Sequence, residues 1–361
     1  MHATCRSHHR HATSLACIGV KILIATDAWL PQTNGVVNTL RQTVAALGTL
    51  GHDVEMVTPA LFRTVPCPSY PEIRLSLFPG AKAREILDRF DPDAVHIATE
   101  GPIGVAMRRL CLARNMPFTT SYHTQFPEYL RRRAPIPLQW SYAAMRRFHG
   151  AATRCMVSTP SMQAQLEQRG FHNIVRWQRG VDTQLFQPRP KDFLLFARPI
   201  ALYVGRLAVE KNIDAFLRMS WRGTKVIVGD GPDRERLQQR YPDAVFRGYR
   251  FGEDLARHMA AADVMVFPSL TDTFGLVNLE SMACGVPVAA FPVPGPVDVI
   301  DDGVTGALDW DIAAAARRAL KLSPANCRRR AEAADWQANT RQFVSNLVDC
   351  RATPVACAEA S

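Results

Sequence analysis

The sequence predicts an α/β protein of two Rossmann-like, doubly wound domains facing a central cleft. Three observations carry this. Apolar runs of strand length alternate with amphipathic helical segments from Val20 onward. The alternation breaks once, at the Pro-rich stretch Gln187–Pro199 (QPRPKDFLLFARP), and then resumes. A chain of 361 residues is long for one core and comfortable for two. Repeated strand–helix units imply parallel sheets with ligands at the strand C-terminal ends.

Residues 1–19 (MHATCRSHHRHATSLACIG) fit no element. They read as a disordered or non-native extension, with Val20 as a GTG start read as valine. His2, His8, His9 and His11 leave metal binding as an alternative. The stretch is no secretory signal, because its apolar part is short and interrupted. Ile22–Thr26 reads as a buried strand and Asn38–Leu50 as an amphipathic helix ended by Gly51, with Asp53–Thr58 the next strand. Ala83–Phe90, Gly104–Asn115 and Leu138–Ala151 read as helices. Between them lie strands Ala94–Ala98, Phe118–Tyr122 and Arg154–Ser158. Ser161–Arg169 is a Ser-capped helix stopped by Gly170.

After the break come strands Ala201–Val204, Lys225–Val228, Val245–Arg247, Asp263–Phe267 and Val288–Phe291. They alternate with helices Ile213–Met219, Asp233–Gln239, Gly252–Ala261 and Leu276–Cys284. Helices Asp311–Leu322 and Ala331–Val348 close the chain. The expected division is therefore 20–187, a hinge at 188–199, a second domain at 200–325, a terminal helix at 326–349 and a loose tail at 350–361.

Ser269–Val286 (SLTDTFGLVNLESMACGV) is the most informative stretch. It joins a strand to a helix through a polar loop, and seven residues separate Asp272 from Glu280. A helix N-terminus has unpaired N–H groups and a positive dipole end that suit an anion. Carboxylates repel phosphate, so these two suit hydroxyl groups on either side of it. A nucleotide sugar has that order: ribose, diphosphate, hexose.

Gly205-Arg206-Leu-Ala-Val-Glu-Lys211-Asn212 follows the first strand of the second domain. A diphosphate leaving group gains charge in the transition state and needs cations beside it. Arg206 supplies a planar fork and Lys211 a point charge. Taken alone, both are also ordinary surface charges. Pro31–Val37 (PQTNGVV) places Gly35 where backbone can approach a ligand closely. Asp27, at the end of the first strand, reads equally as an acceptor contact or a loop cap. Glu100 ends another strand beside the cleft. His123 in Ser121-Tyr-His-Thr-Gln-Phe-Pro-Glu-Tyr129 also stands at a strand end; a lone His is more often a core or surface residue. Gly229-Asp-Gly231-Pro232 lacks the third Gly of a dinucleotide fingerprint.

Composition excludes several classes. No apolar run approaches the roughly 20 residues that span a bilayer. The nine Cys show no C-x-x-C or ligand spacing, which fits reduced thiols. The net charge is +10, with 43 Lys and Arg. A basic surface could meet nucleic acid, an anionic membrane or an anionic substrate, and Arg codons of a GC-rich genome are the bland alternative. Arg131-Arg132-Arg133 precedes the apolar, Trp-bearing stretch Ala134–Trp140, and Leu75–Arg84 (LSLFPGAKAR) is similar. Such pairings suit an anionic membrane surface or a solvated helix face. Nucleic acid is excluded: there is no zinc spacing and the Arg clusters carry no interleaved stacking aromatics.

The Ser269–Val286 stretch resembles the E-x7-E motif of retaining glycosyltransferases with the GT-B fold, in the family-4 class. Gly205–Asn212 resembles that family's G-R-x-x-x-x-K and Ser121–Thr124 its S-x-H-T. The resemblance runs from about Lys21 to Leu347 and is closest to enzymes that glycosylate lipids, such as phosphatidylinositol mannosyltransferases and diacylglycerol glycosyltransferases. The motif's first acid is usually Glu. Asp272 keeps the charge and shortens the reach by one methylene, which leaves the donor sugar open.

The resemblance implies an acceptor-binding first domain and a nucleotide-sugar-binding second one. His123 would lie near the reacting sugar carbon, to orient it or help move a proton. Gly35, Arg206 and Lys211 would meet the diphosphate, and Asp272 the sugar hydroxyls. Thr273, Phe274, Gly275 and Leu276 would offer backbone amides, and Glu280 would hold the ribose. It also implies no cofactor beyond a UDP- or GDP-sugar donor and no metal. Asp91-Pro-Asp93 and Asp309-Trp-Asp311 do not end strands as a metal-binding D-x-D does. The expected reaction moves a hexose to a membrane lipid, on the inner face of the cytoplasmic membrane. A soluble or polysaccharide acceptor, or a non-catalytic nucleotide-sugar sensor, is the alternative. Oligomeric state is not readable.

Overall fold

The computed structural model describes residues 19–67, 70–133 and 136–351. The expected extension (save Gly19), Ala134 and Pro135 of the basic-apolar stretch, and the tail beyond Arg351 lie outside the described residues.

The first half contains β1 (Lys21–Ala25), α1 (Gly35–Thr49), β2 (Asp53–Val57), β3 (Thr64–Cys67), β4 (Tyr70–Ser76), α2 (Gly80–Phe90) and β5 (Ala94–Ile97). It continues with α3 (Pro102–Ala113), β6 (Thr119–Ser121), α4 (Phe126–Arg133), α5 (Leu138–His149), β7 (Arg154–Val157), α6 (Pro160–Gln168) and β8 (Ile174–Arg176). The second half holds β9 (Ala201–Val204), α7 (Ile213–Arg218), β10 (Lys225–Val228), α8 (Arg234–Arg240), β11 (Val245–Phe246), α9 (Gly252–Ala261) and β12 (Val264–Phe267). Then come α10 (Leu276–Ala283), β13 (Val288–Ala290), α11 (Pro296–Val299), β14 (Gly306–Leu308), α12 (Ile312–Ala319), α13 (Pro324–Glu332) and α14 (Trp336–Asn346).

Two parallel six-stranded sheets result, in the orders β2-β1-β5-β6-β7-β8 and β11-β10-β9-β12-β13-β14. The second is the doubly wound dinucleotide-fold order. The central strands read as apolar runs because both faces are covered: β5, β9 and β12 are buried throughout. In each sheet the winding direction reverses beside the first strand, between β1 and β5 and between β9 and β12. Loops at that reversal splay apart and leave a crevice. Gly205–Lys211 follows β9 and Ser269–Asp272 follows β12, so topology alone sets the two charged loops beside each other.

Several elements differ from the expectations. Asn34 Oδ1 accepts from the amides of Val36 and Val37 at 3.0 Å, so α1 starts at Gly35 rather than Asn38. The cap of α6 is Thr159, two residues before Ser161. The antiparallel β3–β4 pair, α4, β8 and β14 were not foreseen. The expected terminal helix is broken into α13 and α14, the latter capped by the carboxylate of Asp335. α14 packs against α1: Phe343, Val344 and Leu347 join Ile22, Ile24, Leu40 and Trp177 in the first half's core. Trp336 lies against Gly180, where the chain leaves the first sheet. Of the tail expected to be loose, Cys350 and Arg351 are held. Cys350 is buried with its thiol on the Pro92 carbonyl, and Arg351 pairs with Asp91 and Asp93. Asp309-Trp-Asp311 directly follows β14, so against expectation this D-x-D does end a strand; Asp309 pairs with Arg318 and Asp311 caps α12, while Asp91 and Asp93 bind Arg351.

Candidate active site

The site grows from two loops of the second half and three segments of the first. Lys211 Nζ donates to Asp272 Oδ1 at 2.6 Å. Burial is the largest influence and opposes the ammonium's charge, but Asp272, Tyr129 and Tyr203 together outweigh it and hold Lys211 above its ordinary value. The other carboxylate oxygen, Asp272 Oδ2, is buried without a partner among the described residues. Ser269 Oγ, Thr271 Oγ1 and both amide atoms of Asn278 share that condition. Each orphan costs about 1–3 kcal/mol in a dry site, so a loop carrying several is built for a polar ligand. Arg206 sits half-buried at the end of β9, where Tyr203 Oη donates to its carbonyl at 2.8 Å.

Gly275 opens α10 with φ +80°, and a Cβ there would meet Phe267 at 2.8 Å and Asn278 at 2.6 Å. Only glycine fits both constraints. Leu276, the first residue of α10, reaches across the crevice: a Cβ on Gly35 would stand 3.8 Å from Leu276 Cδ1. Beside them Asn38 Nδ2 donates to Glu280 Oε1 at 3.4 Å, over 242 residues of sequence. Burial pushes the Glu280 carboxyl up to about 7. Phe274 is partly buried against the core of the second half.

Thr273 ties the halves together. Its hydroxyl donates to the His123 carbonyl at 2.8 Å, while its own carbonyl accepts from Ser158 Oγ at 3.1 Å and Thr159 Oγ1 at 3.4 Å. Nearby, Asp298 accepts from the Ser161 amide at 3.1 Å and from its hydroxyl. The predicted residues thus form two contiguous groups: Gly35 with Leu276 and Glu280, and Lys211 with Asp272 beside Thr273 and His123. His123 receives a contact that sequence reading missed: Arg179 Nη2 lies 3.3 Å from its Nδ1. Tyr129 of α4 was also missed; its phenol is raised by burial, and Lys211, Asp272, Glu210 and Arg206 are close enough to act on it.

Two residues noted at strand ends do other work. The Asp27 carboxylate accepts from the amides of Ile103 at 2.9 Å and Gly104 at 3.2 Å, and from Thr99 Oγ1 at 3.0 Å. It caps α3, whose own N-cap is Gly101 and offers no side chain. Glu100 meets His149 Nε2 at 3.0 Å inside the first half. Both are used structurally.

An arrangement with two cations, a carboxylate carrying an orphan oxygen, a helix N-terminus and a second buried acid can bind a diphosphate flanked by polyols. Comparison with known proteins identifies the family. Residues 33–185 match the family described as Glycosyltransferase Family 4, and residues 198–323 match Glycosyl transferases group 1. A GDP-mannose-dependent alpha-mannosyltransferase of Mycobacterium tuberculosis is 33% identical over 316 residues, 80% of this chain and 84% of that protein. The alpha-monoglucosyldiacylglycerol synthase of Streptococcus pneumoniae is 25% identical, across 84% of this chain and 79% of its own length. Among solved structures, sucrose-phosphate synthase from Thermosynechococcus elongatus superposes with a TM-score of 0.71 at 23% identity, covering 90% of this chain and 97% of that one. With the fold, the charged crevice and these matches in agreement, the chain belongs to the family-4 glycosyltransferases of GT-B fold.

Proposed function

We propose that this glycosyltransferase moves mannose from GDP-mannose to a hydroxyl of a membrane lipid, with retention of configuration and without a metal. The observation that carries the reading is the Lys211–Asp272 pair, bridged through Thr273 to His123 on the opposite half. The second half takes the donor. Arg206 and Lys211 neutralise the diphosphate as it departs, and the first amides of α10 add partial positive charge. Asp272 Oδ2 accepts from a sugar hydroxyl and Glu280 from the ribose. The first half takes the acceptor next to His123, on the face that the diphosphate leaves.

The relatives' activities support the donor and the lipid: GDP-mannose for one, a glucosyl-diacylglycerol product for another. Surface chemistry supports a membrane contact. On α4 and the start of α5, Phe126, Leu130 and Trp140 are exposed beside Arg131, and Trp140 is 68% exposed. Leu77 and Phe78 form a second apolar tip beside Lys82, with Phe78 93% exposed. Among the described residues no helix is long and apolar enough to cross a membrane. In this reading the enzyme works on the inner face of the cytoplasmic membrane, where anionic lipids would meet these basic and apolar tips.

The test uses labelled GDP- and UDP-hexoses with mixed anionic lipid vesicles in EDTA. The reading predicts a labelled lipid from GDP-mannose and vesicle binding that weakens at high salt. Transfer only to a soluble sugar, or only from a UDP-sugar, would overturn the acceptor or the donor assignment.

A further inference from the structure

We infer that Arg179 is a positioning residue for the transfer, holding His123 as a neutral imidazole whose Nε2–H points into the site as a hydrogen-bond donor. The inference deepens the reading above and rests on its placement of His123 beside the reacting groups.

Arg179 lies just past β8, on the segment that leaves the first sheet. It is 4% exposed, and among the described residues no carboxylate pairs with it. A buried guanidinium without a counter-ion costs several kcal/mol, so its contacts define its use. Nη1 donates to the carbonyls of Trp177 at 2.7 Å and Gln178 at 3.3 Å, and the guanidinium lies 4.0 Å from the centre of the Trp177 ring. These contacts fix the fork. Nη2 then meets His123 Nδ1 at 3.3 Å.

A guanidinium only donates, so Nδ1 must be the acceptor. In a neutral imidazole the proton then sits on Nε2. That atom is buried with no partner among the described residues. The Trp177 ring stands edge-on to the imidazole with centroids 5.9 Å apart, which restricts the ring's rotation. The groups that act on His123 all oppose a second proton: burial first, then Arg179 from the exit segment, His96 from β5 and His149 from α5. Burial also brings Arg179 down to about 9, which leaves it charged at neutral pH.

Two consequences follow. His123 gives a hydrogen bond, polarised by the cation behind it, to an oxygen of the substrates. It is not the base that removes the acceptor proton. As the acceptor oxygen bonds to the anomeric carbon and the bond from that carbon to the diphosphate breaks, the proton goes to the departing diphosphate oxygen.

The experiment is ¹⁵N NMR of the imidazoles in the full-length free protein from pH 8 to pH 5, with His123 assigned through His123→Gln. The expected result is an Nε2–H tautomer that does not titrate in this range. An Nδ1–H tautomer, or titration near the ordinary His value, overturns the inference whatever the donor is. Two variants complete the test. Arg179→Met removes the donor that makes Nδ1 the acceptor, so it should leave a mixture of the two neutral tautomers, while burial still keeps the ring from titrating in this range. It should also lower kcat by roughly tenfold or more, with the donor KM little changed. Arg179→Lys, which keeps a donor and a charge, should restore much of that loss. A folded Arg179→Met enzyme with wild-type kcat and an unchanged tautomer also overturns it.

Discussion

Glu280 is an acid kept from water, with its carboxyl raised to about 7 by burial. The folded state then binds a proton between roughly pH 4.5 and 7 that the unfolded chain has released. Stability therefore falls as pH rises through that window, by up to about 3 kcal/mol for this one group. Glu280→Gln should unfold at higher temperature than the parent at pH 8 and at about the same temperature at pH 4.5, while binding donor more weakly. Thermal scans at the two pH values check it. Burial also raises the Asp27 carboxyl, but here hydrogen bonds from Ile103, Gly104 and Thr99 oppose the rise. Asp27→Ala strips the cap from α3 and should cost about 1–2 kcal/mol in a urea titration. Sequence spacing made Asp272 and Glu280 legible, because a loop followed by one helix fixes their separation. It could not reveal Asn38, Tyr129 or Arg179. Their partners lie in other elements, and no local pattern encodes a contact made over 56 or 242 residues.

At the scale of elements, the strands with both faces buried were legible because a short apolar run has few other uses. The β3–β4 pair was not. It carries Pro66 and Pro71, which argue against strand, and Val65 is exposed at 41%. The break between α13 and α14 was also hidden, since Ala331 to Trp336 reads as continuous helix until Asp335 is seen to cap the next one. The Thr273–Leu276 turn is the element with most at stake. It bonds to the first half at Thr273, takes a left-handed φ at Gly275 and starts α10 at Leu276. Gly275→Ala forces a Cβ against Phe267 and strains the backbone by about 1–3 kcal/mol. Its expected signature is a donor KM raised at least about tenfold with a small fall in melting temperature, measured by initial rates and scanning calorimetry.

For the whole molecule, the two halves are tied in two places. Thr273 and Asp298 bridge them beside the site, and α14 returns to the first half and packs against α1. Phe343 is fully buried among Trp177, Ile22 and Leu40. Truncating it should cost about 3–5 kcal/mol, and because that core belongs to the first half, the loss should appear there first in hydrogen exchange. The order of the second sheet explains why a charged crevice exists at all: β9 and β12 are neighbours, and the chain winds away from them in opposite directions. That placement makes Lys211 and Asp272 adjacent, and the proposed transfer chemistry would depend on their neighbourhood. The most direct measurement is turnover of labelled GDP-mannose onto lipid vesicles by the parent enzyme and by Lys211→Ala, in EDTA, with the fold of each checked by circular dichroism. The account predicts a labelled lipid from the parent and a loss of about 10²–10³-fold in kcat for the variant. A folded Lys211→Ala enzyme that turns over at the parental rate would contradict it.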